Sequence, residues 1–304
     1  MFPTIDNPLI KELERPADIQ GVLKRTDPII LMGKIAKFRK LNIARMSDDE
    51  INRAILDVLC WEGVFSCYTN LRTYPKGTKF FRVKKLDGTC IPNSRFKEYQ
   101  DYWETNPQYL KKYGRLNKPG ESLLYVSPDL RCSMAEVHIK ENEPFVAIQY
   151  TARSDVKVNM IGGEFNYEQL GVYDEKVQLI HEMYNSFLRD EFSRDVGEGT
   201  EYLYRVSEKI AKDYFELPPR IVQDAWAYSS IQDKEKYNVC FRPDIAHDIL
   251  ELDGAMICKL NESMELGVFC VAIGYDTDGK ILFYPVGSEE QKQVFPEIVS
   301  SEIN

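Results

Sequence analysis

The sequence shows no secretory-leader pattern, no membrane-length apolar run, no paired-cysteine motif and very little histidine. Its N-terminus, MFPTIDNPLIKELERP, lacks a basic segment followed by an apolar stretch, so no secretory signal is expected. The longest apolar stretch, LGVFCVAIGY from Leu266, is too short to span a bilayer and reads as a buried strand. The seven cysteines (Cys60, Cys67, Cys90, Cys132, Cys240, Cys258 and Cys270) are odd in number and scattered. They fit small buried hydrophobes in a reducing cytoplasm, not a disulfide frame. The three histidines, His138, His181 and His247, lie far apart, which argues against a structural metal. The sequence has no P-loop, no G-x-G-x-x-G, no G-x-S-x-G and no H-E-x-x-H, which removes the commonest phosphate-cradling, hydrolase-elbow and zinc-protease readings. Basic residues are outnumbered 39 to 48, a formal charge of −9, which argues against nucleic acid or anionic membrane as a bulk partner. A small anionic ligand stays open, because it answers to a few local arginines and not to the total.

What is present is an ordinary globular composition: 304 residues, 43% hydrophobic and 29% charged, enough for one large domain or two small ones. Residues from about Lys11 to Gly63 read as helical, broken at Asp27-Pro28. Ser47-Asp48-Asp49-Glu50 forms a capping box before Ile51, Ala54, Ile55 and Val58 at helical spacing. After the turn Tyr74-Pro75-Lys76-Gly77 the pattern becomes strand-like, at Lys79–Val83, Ser122–Val126, Pro144–Thr151 and Asp155–Met160, closing at Gly162-Gly163. A helical period returns from about Asp174 to Phe215, interrupted at Gly197 and Gly199 and stopped by Pro218-Pro219. Strands resume at Ala225–Ile231, Tyr237–Arg242, Ala255–Leu260, Gly267–Tyr275 and Ile281–Val286, the last two joined by Asp276-Thr277-Asp278-Gly279. This order is not the βαβα alternation of a parallel sheet, so an α+β fold is expected. The expected division is an N-terminal helical extension over 1–76 and a second domain over 77–304, with a helical insertion at about 165–220.

One segment has unusual local density. Gly114-Arg115-Leu116-Asn117-Lys118-Pro119-Gly120 reads as a glycine-bounded loop, and Leu123–Ser127 as a strand carrying Tyr125. A short helix follows, with Ser127 as its expected N-cap and Pro128 at the first helical position. On that helix Leu130, Met134 and Val137 share an apolar face, with Glu136 at its edge. This segment resembles the RES domain, whose pattern is an Arg on an early strand, a G-R-x-N-x-x-G loop, an aliphatic-Tyr strand and an A-E helix. The matching residues are Arg82, then Gly114, Arg115, Asn117 and Gly120, then Tyr125, then Ala135-Glu136. A second block matches through Tyr228-Ser229-Ser230-Ile231 and Asn238–Pro243, where either Ser229 or Ser230 is the relevant serine. The resemblance covers roughly Phe80 to Leu260, with the helical block as an insertion.

The resemblance implies an ADP-ribosyltransferase-like mixed or antiparallel sheet core and an enzyme that degrades NAD as substrate, often as the toxin of a toxin–antitoxin pair. It implies no metal and no further cofactor. If the chain is a toxin, a helix-turn-helix antitoxin would be its protein partner, and the N-terminal helices could serve as a cap, an oligomerisation surface or a dock. The chemistry matches the residue types independently. Cleaving the nicotinamide–ribose bond expels a neutral pyridine, so one carboxylate beside the ribose is enough, and a protonating second one is unnecessary. Cationic forks hold the diphosphate, and an aromatic ring receives a base. On this reading Glu136, Arg82 and Ser230 are catalytic. Arg115, Tyr125, Asn117 and Gly114 bind NAD. The acceptor is open: water, phosphate or a macromolecule, the last making the chain an ADP-ribosyltransferase. A non-catalytic nucleotide- or partner-binding module is the remaining alternative. Each residue also has an ordinary explanation taken singly: Glu136 as a solvated helix residue, Arg82 snorkelling from a strand, Arg115 as a loop charge and Tyr125 as core. The aromatic stretch Phe96, Tyr99, Tyr102, Trp103, Tyr109 and Tyr113 is expected to cover the sheet.

Overall fold

The computed structural model describes residues 18–86, 96–216, 223–233 and 235–299. The calls on Lys11 to Ala17, Cys90 and Pro218-Pro219 lie outside them. In chain order the helices are α1 (Ile19–Arg25), α2 (Pro28–Phe38), α3 (Asp48–Leu59), α4 (Leu130–Glu136), α5 (Glu175–Phe192), α6 (Tyr204–Asp213), α7 (Pro243–Ile249) and α8 (Glu289–Val294). The strands are β1 (Cys60–Trp61), β2 (Val64–Phe65), β3 (Leu71–Tyr74), β4 (Lys79–Lys85), β5 (Leu124–Val126) and β6 (Pro144–Ala152). They continue as β7 (Val156–Ile161), β8 (Ala225–Ser229), β9 (Tyr237–Phe241), β10 (Leu250–Leu260), β11 (Leu266–Tyr275) and β12 (Ile281–Pro285). Helices and mixed or antiparallel sheets make the chain α+β.

The chain divides into two compact units: one from the stretches up to Asn70 and from Gly162 to Glu191, the other from Leu71–Ile161 and Phe192 onward. The expected boundary near residue 76 therefore shifts, and most of α5 groups with the N-terminal helices. Within that first unit the ends of the helices follow their caps. Asp27 accepts from the Ile29 and Ile30 amides with Pro28 at the first position, and Ser47 and Glu50 form the reciprocal capping box. Ile51, Ile55, Val58 and Leu59 of α3 are buried, each side chain contributing about 1.5–3 kcal/mol. Phe38 of α2 meets Phe187 of α5 edge to face at 5.0 Å, which is why this helix belongs here. Gly162 is also required. Its φ is +69° and a Cβ would lie 2.7 Å from the Arg189 backbone, so a side chain there would push α5 away.

The second unit holds two five-stranded sheets, in the orders β12-β11-β10-β6-β4 and β3-β7-β8-β9-β5. All pairings are antiparallel except β7 with β8. One backbone bridge joins the sheets: the Phe81 amide donates to the Ser127 carbonyl at 2.7 Å and the Ser127 amide returns to Phe81 at 2.9 Å. Leu124, Val126, Ala225, Ala227, Val239 and Phe241 enter the main core with Phe80, Ile148 and Tyr150. By strand alternation Tyr125, Trp226, Tyr228, Asn238 and Cys240 share the opposite face of the second sheet. That face carries the candidate site.

Two expectations need correcting, and a third, that the aromatic stretch covers the sheet, is met in part. Helix α4 is capped by Asp129, whose carboxylate accepts from the Cys132 amide at 2.7 Å, and not by Ser127. Ser127 is spent on the bridge to Phe81 and on the Tyr237 carbonyl. Strand β10 starts at Leu250, earlier than expected, because Pro243 opens the short helix α7 after extended Arg242 and delivers the chain there. In the aromatic stretch Phe96, Tyr102 and Trp103 are core residues, whereas Tyr109 is exposed.

Candidate functional site

Helix α4 sets the first part of the site. Leu130, Met134 and Val137 seat it against the cluster of Val83, Phe145, Ala147, Met256 and Cys258, as their spacing predicts. Glu136 then falls in the last turn, where the helix dipole disfavours a carboxylate. It is held by contacts from another element. Ser230 Oγ donates to Glu136 Oε1 at 2.5 Å, and the Ile231 amide donates to the same oxygen at 3.3 Å. Ser230 is fully buried, and its hydroxyl also accepts from the Gln232 and Asp233 amides at 3.1 and 3.4 Å. That turn fixes the hydroxyl's direction. Of the two serines left open by the sequence, Ser230 is the one that meets Glu136.

The start of α4 is held to the same turn. Asp129 pairs with Lys236 at 2.8 Å. Partial burial alone would raise the Asp129 carboxyl, but Lys236 and the helix amides together hold it below its usual value. The loop between β8 and β9 thus grips α4 at both ends.

The G-R-x-N loop is fixed from beneath by Tyr125. Its hydroxyl donates to Asn117 Oδ1 at 2.7 Å and accepts from the Leu116 amide at 3.0 Å. The Gly114 amide donates to the Asn117 carbonyl at 2.9 Å, and a Cβ on Gly114 would stand 2.2 Å from Asn117 Oδ1. A side chain here would therefore have to displace the Asn117 amide. Burial pushes the Tyr125 hydroxyl well above its usual pKa, so it stays a neutral donor. In this arrangement Tyr125 and Asn117 shape the loop.

The loop aims Arg115 inward. The residue is buried, and its guanidinium donates to the Phe192 carbonyl, to the Arg194 carbonyl at 3.3 Å and to the Tyr204 hydroxyl at 3.4 Å. Its carbon lies 4.9 Å from the Tyr204 ring centre and 5.5 Å from that of Tyr228. Burial raises the pKa of both tyrosines, opposed by Arg115, while Glu136 pushes in the raising direction. Arg115, Glu136, Tyr204 and Tyr228 therefore share one electrostatic neighbourhood.

Arg82 is placed differently. It donates to the Trp103 carbonyl and to Thr105 Oγ1 at 3.1 Å, while burial lowers its pKa. Among the described residues no hydrogen bond, ion pair or ring contact joins it to Glu136, Ser230 or Arg115. The structure thus brings together Glu136 with Ser230, and Gly114, Asn117 and Tyr125 with the loop of Arg115. It leaves Arg82 in a separate cluster.

Two contributors escaped the sequence reading. Asp129 carried a signal, an Asx residue three positions before an amide in a helical run. Tyr204 carried none. Among the described residues no group of three or more His, Cys, Asp and Glu side chains could hold a metal ion, and no helix is long and apolar enough to cross a membrane. No protein-family model matches the chain, and no curated protein matches it.

Proposed function

We propose that this chain is an NAD-consuming enzyme of RES type with an ADP-ribosyltransferase-like core, which breaks the nicotinamide–ribose bond. The observation that carries the reading is the 2.5 Å hydrogen bond from Ser230 to Glu136, residues 94 positions apart in sequence. They are the serine and glutamate of the RES-like pattern, and they arrive at one point from different elements. In the proposed reaction the C–N bond breaks with both electrons passing to the pyridinium nitrogen, which leaves as neutral nicotinamide. An oxygen of water or phosphate forms the new bond to the ribose carbon, and water releases its extra proton.

Glu136 stabilises the cationic ribose and holds its hydroxyl. Ser230 and the Ile231 amide orient that carboxylate by engaging Oε1. Arg115 receives the diphosphate, on a loop shaped by Gly114, Asn117 and Tyr125. Arg82 is assigned a structural part in this reading. Pure protein incubated with NAD, with and without phosphate, should release nicotinamide, and Glu136→Gln should slow release by about 10²–10³-fold. Product analysis then separates ADP-ribose from its phosphorylated counterpart, and labelled NAD tests transfer to macromolecules. Wild-type release no faster than that of Glu136→Gln would sink the proposal.

A further inference from the structure

Cations beside this face of the second sheet fall into two kinds. Arg242 and Lys212 both stand over the Trp226 ring, at 4.2 and 5.1 Å, and each is paired with a carboxylate, Glu216 and Glu121 respectively. Arg115 is the other kind. Its partners are two backbone carbonyls, one hydroxyl and two tyrosine rings, and among the described residues it forms no salt bridge. Carbonyls and rings fix a guanidinium in place without pairing it with a carboxylate, so it can still pair with an incoming anion. A preset cation also loses little freedom when the anion arrives.

Helix α6 supplies much of that setting. Val206, Ile210 and Ala211 bury its apolar side. Ser207 Oγ donates to the Arg115 carbonyl at 2.7 Å, holding the backbone, while Tyr204 at the helix start meets the guanidinium. We propose that the Tyr204 ring is a positioning residue for anion recognition, holding Arg115 ready for a diphosphate group. The insertion thereby completes a binding site whose other parts come from the G-R-x-N loop, α4 and the turn after β8. This inference rests on the reading of Arg115 as the diphosphate clamp.

The test compares wild type, Tyr204→Phe and Tyr204→Ala, following nicotinamide release from NAD and, in parallel, calorimetric binding of inorganic diphosphate. Loss of the ring should raise KM and weaken diphosphate binding by about 3- to 30-fold, with Tyr204→Phe keeping most of both. Equal losses in Tyr204→Phe and Tyr204→Ala overturn the ring's role. So does a Tyr204→Ala effect confined to melting temperature, with KM and binding unchanged. A wild type that binds diphosphate but releases no nicotinamide overturns the NAD reading, and the binding loss in Tyr204→Ala then decides for or against Tyr204 alone. A wild type that binds no diphosphate overturns the inference as well.

Discussion

Arg82 and Arg115 look alike in the sequence, each an arginine beside apolar residues within one recognisable pattern. In the structure both donate to backbone carbonyls, yet their surroundings diverge. Arg82 belongs to a strap in which side chains on or beside the sheets catch carbonyls of the segment from Asp101 to Thr105. Lys84 takes Asp101 at 2.8 Å, Tyr150 takes Tyr102, Arg82 takes Trp103, and Ser122 takes Thr105. Trp103 is itself buried and stacks on His247 at 4.1 Å. Arg115 is flanked by tyrosines that also feel Glu136. The difference teaches that donor satisfaction alone does not distinguish a structural arginine from a functional one. What the guanidinium faces beyond its carbonyls does.

The sharpest way to break this comparison is to remove each arginine in turn. Arg115→Met should slow nicotinamide release by about 10²-fold, whereas Arg82→Met should change release per folded molecule by no more than about two-fold. Arg82→Met should instead cost about 2–3 kcal/mol of stability in urea unfolding, because it strands the Trp103 carbonyl and Thr105. Reversed outcomes would return Arg82 to the catalytic set. A smaller effect is expected on the Arg115 side from Gly114→Ala. The new methyl collides with Asn117 and loosens the Tyr125 bond, so the urea midpoint should fall by the equivalent of about 1–3 kcal/mol. An unchanged midpoint would mean that the loop yields freely.

A further effect concerns pH on the Arg82 side. Burial, reinforced by Arg82, lowers the Lys84 ammonium from 10.5 to about 7. Between those two values the unfolded chain binds the proton more tightly, so Lys84 makes stability rise with pH across that window. Below about 7 both states are protonated and the penalty of burying the charge is complete. Wild-type stability measured against Lys84→Met should therefore improve from neutral to alkaline pH. A difference independent of pH would show that the ammonium is solvated in the folded state.

Much of the local structure was legible in the residues. The capping box at Ser47 and Glu50, the break at Asp27-Pro28 and the apolar stripe of α4 need only neighbours within two turns, and they stand as read. Misreadings arose where a residue had a competing long-range partner. Ser127 is a good N-cap by type, but Phe81 and Tyr237 claim it. Within the site, the G-R-x-N loop was visible because Gly114, Asn117 and Tyr125 lie within 12 positions of one another. The choice of Ser230 over Ser229 required the turn geometry. Tyr204 could not be found, since a tyrosine at a helix start has no spacing that ties it to an arginine 89 residues away.

The bridge between Phe81 and Ser127 has a consequence for how the second unit comes apart. Ser133 Oγ of α4 also donates to the Phe81 carbonyl at 2.8 Å, so one residue is tied to both sheets and to the helix that carries Glu136. Opening either sheet at this splice would pull on the base of that helix. Local breathing there is therefore expected to couple the two sheets and the helix, with the glutamate keeping its orientation for as long as the splice holds.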